Sequence, residues 1–492
     1  MKIVVVGGGT AGWISTFFLA KLPDVEVVNV SSKEIPIIGV GEGTTALFTT
    51  TLAKHFNPVD LIKGVDGLPK LGIQFKNWGG DWFSPIDGSD TRHFFIDYSL
   101  YAKPCSDHTY MADIHRTNIA CVRINDGEKQ LIVKHPTPTA MHIDAYSTVE
   151  FLKEHSLKAG VNYIESTVKS VNTQNNKIQS IVLDDGVEIE GDLFVDCSGF
   201  NRILSRELED TGWTSYSDYL PVNKALTYTY DEDDYDLFRD EYTTAEAMDN
   251  GWTWTIPTRN KVGRGYVYCD KFATEDDIVK ELEQKHDAEI TVQRSIPFDS
   301  GRINKFLNGN CYSVGLSAGF LEPLQATSLH CALFQLDYFV YDFLSDAKLL
   351  DNPFLVREHN ERMSRLYDET RDFVAMHYTG GKTNTDFWRY VLTMDKPQRV
   401  KELLHLAEIR AIRSFDFDKT LNVYGQESFN PVLLGLSHFN SEVVQKVLVS
   451  DGTTLAWWRQ AVQKYEEELD KKVKDNLSAQ ALNNILLETS DV

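Results

Sequence analysis

The fold is indicated by the first twelve residues, MKIVVVGGGTAG at positions 1–12. Residues 3–6 form a short, continuous apolar run, which is typical of a parallel β-strand covered on both faces. Apolar residues then recur at helical spacing over 10–22, and 25–30 is a second apolar run of strand length. The chain therefore opens as strand, glycine-rich turn, helix and strand, which is the order of a parallel α/β unit.

The turn carries glycines in the spacing Gly-x-Gly-x-x-Gly, namely Gly7, Gly9 and Gly12. The first glycine permits a tight turn, the second lets a pyrophosphate approach the backbone, and the third lets the helix pack closely on the strand. The helix N-terminus then faces the phosphate charge. Where such sites often carry an acidic residue for a ribose hydroxyl, this chain has Ser31. A dinucleotide site is predicted, and the choice between FAD and NAD is open at this point.

Two further segments favour FAD. The stretch GVGEGT at 39–44 is a second glycine-rich loop soon after the second strand. The stretch DLFVDCSG at 192–199 is an apolar strand that ends in Asp196 and a small turn. It resembles the second FAD fingerprint of flavin monooxygenases, in which a strand-end aspartate contacts the ribityl–phosphate region. Together these segments predict an α/β fold with an FAD-binding, Rossmann-like unit of the flavin monooxygenase type.

Composition excludes several classes of protein. The 492 residues include 49 Lys+Arg and 72 Asp+Glu, which gives a formal charge of −23. So acidic a chain disfavours nucleic acids and anionic membranes as partners, because phosphate binding needs clustered cations. The six cysteines form no CxxC pair and no zinc-type cluster, so no metal site is predicted. No apolar run of about 18 residues occurs, and the N-terminal run is shorter than a signal peptide, so a cytoplasmic location is expected.

The sequence pattern changes along the chain. A β-rich block covers 163–197, within which 178–189 reads as a hairpin around an Asp-Gly turn. From about residue 324 onward, helical periodicity dominates. We therefore predict two regions, a flavin-binding module at 1–352 and a mainly helical region at 353–492.

The most specific string in the chain is WTWTIP at 252–257. Trp252 and Trp254 lie two residues apart on an extended segment and so point to the same face. Pro257 ends the strand and holds the residue before it extended. By itself the string is compatible with two core tryptophans. Together with the FAD segments, it resembles the WxWxIP motif of flavin-dependent tryptophan halogenases.

Other segments resemble that family in the same order along the chain, and the resemblance covers most of residues 1 to about 390. The loop at 39–44 is similar to the family's GVGEAT, and KLGIQFKNW at 70–78 is similar to the segment with its essential lysine. The remaining matches are GFLEPLQATS at 319–328, similar to GFxEPLEST, RDFVAMHY at 371–378, similar to RDFxxxHY, and FW at 387–388.

The resemblance implies a reaction. Enzymes of this family use reduced FAD, O2 and a halide to make hypohalous acid, which halogenates an electron-rich aromatic ring, such as an indole, in a separate pocket. The module at 1–352 would then oxidise halide, with substrate-side insertions around 80–140 and 205–300, and 353–492 would cover the substrate. The implied cofactors are FAD as FADH2, O2 and a halide ion, whether chloride, bromide or iodide.

The resemblance places the handling of the oxidant on Lys70. An ammonium group can donate a hydrogen bond to hypohalous acid, and an amine whose pKa is lowered by desolvation can form an N-haloamine instead. Most lysines are solvated surface groups, so only the sequence context after Lys70 distinguishes it from its neighbours. Strand alternation would place Lys70 opposite Leu71, Ile73 and Phe75, so its side chain need not point into the core.

The chain departs from the family pattern where the catalytic glutamate is expected. Gln325 stands at that position, and Ala326 replaces the serine that follows. A glutamine cannot remove a proton at neutral pH, so Gln325 is not assigned the role of a general base. Three readings are open: the ring proton goes to water, which we favour; Glu322 or another carboxylate substitutes; or the site is impaired.

The resemblance assigns the remaining residues of the site. The backbone N–H groups of Thr327 and Ser328 would bind the halide, with Ser328 in place of the family's usual glycine. Trp252 and Trp254 would separate substrate from flavin, and His93 with Phe95 would be the substrate pair. Contacts to FAD are placed at Gly7, Gly9, Thr10, Ala11, Gly12, Ser31, Gly41, Val168, Asp196, Leu316 and Leu329.

The implied partners follow from what the sequence lacks. No second dinucleotide fingerprint for NAD(P)H is visible, so reduced FAD is expected from a separate flavin reductase. The substrate would be a small aromatic molecule, and a homo-oligomer is compatible with the sequence. The alternatives are a flavin-dependent aromatic monooxygenase, which shares the FAD segments, and a catalytically silent FAD-binding homologue, which the replacements at 31, 325 and 326 would suit.

Overall fold

The computed structural model describes residues 1–37, 39, 41–70, 72–86, 120–125, 128–133, 140–231, 241–344, 346–417, 421, 423–440, 442–443, 460 and 467. Within these ranges the chain is a mixed α/β protein, as the sequence predicts. His93 and Phe95 lie outside the described residues.

The strands are β1 (Lys2–Val6), β2 (Glu26–Ser31), β3 (Glu42–Gly43), β4 (Leu68–Pro69), β5 (Gly72–Lys76), β6 (Trp82–Pro85), β7 (Ala120–Asn125), β8 (Glu128–Val133), β9 (Met141–Ile143), β10 (Asn162–Glu165), β11 (Val168–Gln174), β12 (Lys177–Leu183), β13 (Glu188–Glu190), β14 (Leu193–Asp196), β15 (Trp213–Ser215), β16 (Lys224–Thr229), β17 (Thr243–Ala247), β18 (Gly251–Pro257), β19 (Val262–Tyr268), β20 (Thr291–Pro297), β21 (Gly301–Ile303), β22 (Leu307–Asn308), β23 (Cys311–Ser313) and β24 (Gly319–Phe320).

The α-helices are α1 (Thr10–Leu19), α2 (Ala46–Leu52), α3 (Pro58–Gly64), α4 (Ala145–Lys158), α5 (Glu275–His286), α6 (Thr327–Phe343), α7 (Pro353–His377), α8 (Asp386–Thr393), α9 (Gln398–Ile409) and α10 (Gln426–Gly435). Short 3-10 turns occur at Gly199–Asn201, Ser205–Glu207, Gly315–Ser317, Pro323–Gln325, Ala347–Asp351 and Ser414–Phe417.

The predicted opening unit forms the centre of a six-stranded sheet in the order β10-β2-β1-β14-β23-β22. The first five strands in this order run parallel, and β22 is antiparallel to β23. Val6 is paired with Val30 on one side and with Asp196 on the other, so three strands end level with one another. Because ligands of such sheets bind at the carboxyl ends of the strands, this edge is where a dinucleotide site is expected.

A seven-stranded sheet in the order β20-β16-β19-β18-β17-β5-β6 carries the tryptophan string. The string occupies β18, which pairs antiparallel with β17 and β19 and is therefore central in the sheet. A small sheet of β3, β9 and β4 delivers Lys70, which directly follows β4. The tryptophan string and the Lys70 segment are thus positioned by strands that lie far apart in sequence.

Two local predictions are confirmed. The strands β12 and β13 form an antiparallel hairpin around the Asp-Gly turn, where Gly186 has φ +85°. Helices also dominate the described chain after residue 326, with α6 packed against α7. Helix α7 begins at Pro353, and the Asn352 side chain caps it by accepting from the N–H groups of Phe354 and Leu355.

The division at 352 stays a prediction. One apolar core contains side chains from both sides of it, including Trp13 and Ile73 before it and Trp388 and Leu433 after it. Among the described helices, none is both long and apolar enough to cross a membrane.

Candidate active site

One cavity joins the edge of the six-stranded sheet to the tryptophan strand. Its lining collects residues that are far apart in sequence, from the glycine-rich turn to the start of α6. Of the residues proposed from sequence, those that line it are Gly7, Gly9, Thr10, Ala11, Gly12, Ser31, Gly41, Lys70, Val168, Trp254, Leu316, Ser328 and Leu329. Those that do not line it are Asp196, Trp252, Gln325 and Thr327.

The glycine-rich turn needs its glycines for packing. A Cβ on Gly7, whose φ is +139°, would lie 2.2 Å from the carbonyl oxygen of Cys197. A Cβ on Gly12 would lie 2.2 Å from the carbonyl oxygen of Gly7, so the close approach of α1 to the end of β1 requires a glycine at position 12. These contacts match the first and third glycine roles in a dinucleotide fingerprint.

The middle glycine leaves room for a ligand. A Cβ on Gly9 would meet no atom within 4 Å. Gly9 is also the N-cap residue of α1, and within the described part of the chain its side-chain position offers no cap for the free N–H groups of the helix. An uncapped helix N-terminus beside open space suits a phosphate. Ser31, at the end of β2, lines the same cavity, so the residues present fit the pyrophosphate and ribose of FAD.

Asp196 lies behind the cavity wall. Its buried carboxylate accepts hydrogen bonds from the Ser198 N–H at 3.0 Å and hydroxyl at 2.6 Å, and from the Leu204 and Ser205 N–H groups at 3.1 and 2.9 Å. The Ser317 hydroxyl donates to it as well, at 3.1 Å. The direct flavin contact implied by the resemblance stays a prediction, and the observed role of this carboxylate is to hold two turns that line the cavity.

Lys70 is buried, with 2% of its surface exposed. Its Nζ donates to the Thr44 carbonyl at 3.3 Å, and a Cβ on Gly43 would lie 3.0 Å from this nitrogen. Burial lowers the pKa of Lys70 to about 7, because an ammonium group loses hydration there. Both the amine and the ammonium form are therefore populated near neutral pH. Its side chain points inward, which the strand alternation left open.

The segment 319–328 ends at a helix N-terminus. Ala326 adopts a left-handed conformation, with φ 56° and ψ 41°, and α6 begins at the next residue without a side-chain cap. Ser328 lies in the first helical turn and has no positive φ. The Thr327 hydroxyl is buried and has no hydrogen-bond partner among the residues that the structure describes. Free N–H groups and the helix dipole make this position suitable for an anion, and no glycine is needed at 328.

Gln325 is held by a histidine that the sequence did not single out for a role. Its Nε2 lies 2.7 Å from His377 Nε2, while His377 Nδ1 lies 3.0 Å from the Phe373 carbonyl oxygen. Because a carbonyl oxygen only accepts, Nδ1 carries the imidazole proton and Nε2 accepts from Gln325. Burial lowers the pKa of His377 to about 4, which keeps this tautomer neutral. In the sequence, His377 is visible only as part of the RDFVAMHY string at 371–378, and this string does not reveal that its partner is Gln325.

Trp252 is fixed in a polar triangle. Its Nε1 donates to the Tyr378 hydroxyl at 2.9 Å and to Glu322 Oε1 at 3.3 Å, and Tyr378 donates to the same carboxyl oxygen. Glu322 is fully buried, and its burial raises the pKa of this carboxyl to about 8. Glu322 does not line the cavity, so this structure gives no support to the reading in which it replaces the family glutamate.

Trp254 lies on the same face of β18, as the sequence predicts. Its ring centroid is 6.2 Å from that of Trp252, and it lines the cavity directly. The indole packs against the backbone of Gly265, where a Cβ would lie 2.1 Å from the ring. The two tryptophans therefore differ in environment although they share a face.

The family model described as tryptophan halogenase matches residues 2–449 of this chain. The chain belongs to the tryptophan halogenase family. Among curated relatives of this halogenase, the tryptophan 7-halogenase RebH of Lentzea aerocolonigenes is 33% identical over 417 residues, covering 79% of this chain and 78% of the relative. The tryptophan 6-halogenase SttH of Streptomyces toxytricini is 26% identical over 471 residues, covering 88% of this chain and 89% of the relative.

Solved structures agree with the halogenase fold. The tryptophan 5-halogenase MibH is 25% identical, with a TM-score of 0.83 over 99% of this chain and 93% of that one. A flavin-dependent halogenase from Xanthomonas campestris is 25% identical, with a TM-score of 0.81 over 98% of each chain. This protein is a flavin-dependent halogenase, an oxidoreductase, and this reading is supported over an aromatic monooxygenase or a silent homologue.

Proposed function

We propose that this halogenase uses reduced FAD, O2 and a halide to make hypohalous acid, and that it halogenates an electron-rich ring such as an indole. The proposal rests above all on one observation: the buried amine of Lys70 lines the same cavity as the glycine-rich turn. Bound FADH2 would supply the electrons that activate O2 for oxidation of the halide. The substrate class is inferred from relatives named for tryptophan.

The chain's own residues would hold the flavin at two places. The backbone of Gly7 and Gly9 and the start of α1, from Thr10 to Gly12, would bind the pyrophosphate through N–H groups and the helix dipole. The hydroxyl of Ser31 would bind the ribose. The apolar side chains that would pack on the cofactor near the start of α6 and across the cavity are Val168, Leu316 and Leu329.

The halide would be held at the start of α6 by the N–H groups of Thr327 and Ser328. An anion there meets hydrogen-bond donors and the positive end of the helix dipole. Lys70 would take the halogen from hypohalous acid or hold that acid by a hydrogen bond. Trp254, supported by Trp252, would keep the aromatic substrate from the flavin. Gln325 would act as a fixed hydrogen-bonding group, with the ring proton released to water.

A separate flavin reductase is the proposed source of reduced FAD, as the resemblance implies. The described cysteines, Cys197, Cys269, Cys311 and Cys331, are free thiols, which suits a reducing cytoplasm as the proposed location.

The activity is tested with the purified protein, FAD, a flavin reductase with NADH, O2, and one halide salt at a time. A panel of indoles, phenols and pyrroles is analysed by mass spectrometry. We expect halogenated products that require every component, with bromide or iodide preferred in a competition between halides. Products that gain oxygen instead of halogen would indicate a monooxygenase, and no product with any substrate would indicate a silent homologue. Exclusive chlorination would contradict the expected halide preference.

The halide position predicts how two substitutions at Ser328 differ. Ser328→Gly keeps the N–H donor and costs roughly half a kcal/mol of helix propensity, so the KM for halide should change by less than about threefold. Ser328→Pro removes the donor from a first-turn position that tolerates proline, so the KM for halide should rise by about tenfold. Steady-state product formation at varied halide concentration measures both values. Equal KM values for the two variants would place the halide elsewhere.

A further inference from the structure

Glu42 is a carboxyl group in the cavity to which the reaction assigns no task. It lies in β3, within the loop at 39–44, and lines the same cavity as the glycine-rich turn. Its Oε1 accepts a hydrogen bond from the Thr10 hydroxyl at 3.3 Å, and Thr10 is the first residue of α1. The carboxyl group therefore lies beside the helix N-terminus that is proposed to bind the pyrophosphate.

No cation neutralises Glu42 among the residues that the structure describes. The charge of Asp144, which has the same sign, raises the pKa of Glu42 further, and Asp144 is itself paired with Lys261. On the neighbouring strand, His142 is paired with Gly43, and its burial and the nearby Lys70 charge lower its pKa well below the ordinary value. The Lys70 amine lies over Gly43, yet it forms no ion pair with Glu42. Burial raises the pKa of Glu42 to about 7, with the Thr10 hydroxyl opposing this rise.

We propose that flavin binding to this halogenase is coupled to the uptake of one proton by Glu42. The inference rests on the proposed flavin site. A flavin in the cavity would bury the carboxyl group further, and its pyrophosphate would add negative charge near α1. Both effects disfavour an unpaired carboxylate and favour the neutral acid. The balance is simple: protein, FAD and one solvent proton give the complex, in which the proton is bound to a Glu42 oxygen.

The sign of the pH dependence follows from linkage. The pKa of Glu42 is about 7 in the free protein and rises further in the complex, so the protonated protein binds FAD more tightly. The affinity is then constant at low pH. The affinity falls by up to about tenfold per pH unit as the pH rises above the pKa of Glu42 in the free protein.

The test measures the Kd of oxidised FAD by fluorescence titration between about pH 6 and about pH 9, a range in which ordinary carboxyl groups do not titrate. Calorimetry at about pH 8, in two buffers with different heats of ionisation, counts the protons taken up. For the unaltered protein we expect uptake that approaches one proton and a Kd that weakens with pH. Glu42→Gln should bind FAD with little pH dependence and no uptake.

Lys70 titrates in the same range and lines the same cavity, so Lys70→Met is the matched control. It should keep both the proton uptake and the pH dependence. Loss of either in Lys70→Met, or retention of both in Glu42→Gln, would overturn the inference. Thr10→Val gives a second check if Glu42→Gln does not fold, because removal of the opposing hydroxyl should move the onset of the Kd change to higher pH; an unchanged onset would contradict the inference.

A protein that binds FAD equally well at every pH would overturn the coupling and leave the proposed function intact. A folded protein that binds no FAD at any pH would overturn the proposed function, and the inference with it. The two failures are therefore distinguished by the same titration.

Discussion

Lys70→Ala should lower the rate of aromatic halogenation by about 10²–10⁴-fold, the range in which a positioned proton-transfer or nucleophilic group contributes. The amine is buried in the cavity, so no solvated lysine can replace it. Oxidation of reduced flavin should continue, because the glycine-rich turn is untouched. The measurement is the yield of halogenated product per reduced flavin consumed. Lys76→Ala, at an exposed lysine on the same segment, is the matched control and should retain full activity.

The pH profile of the same reaction separates the two modes of action open to Lys70. No carboxylate forms an ion pair with Lys70 in the described chain, and burial lowers its pKa to about 7, so the neutral amine is readily available. We therefore expect the halogenation step to accelerate as the pH rises through this value. Lys70→Arg, which stays charged, should then be as impaired as Lys70→Ala. An active arginine variant, or a rate that falls with rising pH, would instead indicate a hydrogen bond from the ammonium group.

The motif around Lys70 makes this residue a candidate for the site, but the local sequence does not predict its burial. The local pattern placed it on an extended segment, and alternation left its direction open. Its surroundings come from other parts of the chain, since its N–H donates to the Ala140 carbonyl and its amine to the Thr44 carbonyl. The pKa of Lys70 is lowered by its burial among these distant parts of the chain, which no local motif encodes.

The tryptophan string shows the same limit in another way. Strand periodicity predicts that Trp252 and Trp254 share a face, and they do. It does not predict that Trp252 is fixed by Glu322 and Tyr378 while Trp254 lines the cavity. Likewise, the sequence shows that Asp196 ends a strand. It does not show that the groups donating hydrogen bonds to this carboxylate come from the following loop and from Ser317. Sequence motifs predict the secondary-structure elements and the faces on which residues lie. The hydrogen-bond partners of those residues can be identified only in the folded structure.

Gln325→Glu should destabilise the protein by about 2–3 kcal/mol at about pH 8, because a carboxylate would face the lone pair of His377 Nε2. The loss should shrink as the pH falls. The new charge raises the pKa of His377 from about 4, so the imidazole takes up a proton in the folded variant and pairs with the glutamate. Denaturant unfolding at about pH 5 and about pH 8 measures both values. Gln325→Leu, which removes the donor without adding charge, is the control and should be destabilised equally at both pH values.

The same variant tests why this halogenase carries a glutamine at all. If the ring proton leaves to water, a carboxylate at 325 is not needed as a base, and turnover by Gln325→Glu should stay within about tenfold of the unaltered enzyme. When the halogenated ring loses its proton, it becomes aromatic again. Proton loss is therefore strongly downhill once the halogen is attached. The hydrogen bond from Gln325 to a neutral His377 agrees with this role, because neither group carries a charge and neither acts as a base. A gain of several orders of magnitude in Gln325→Glu would contradict this reading and identify an impaired site.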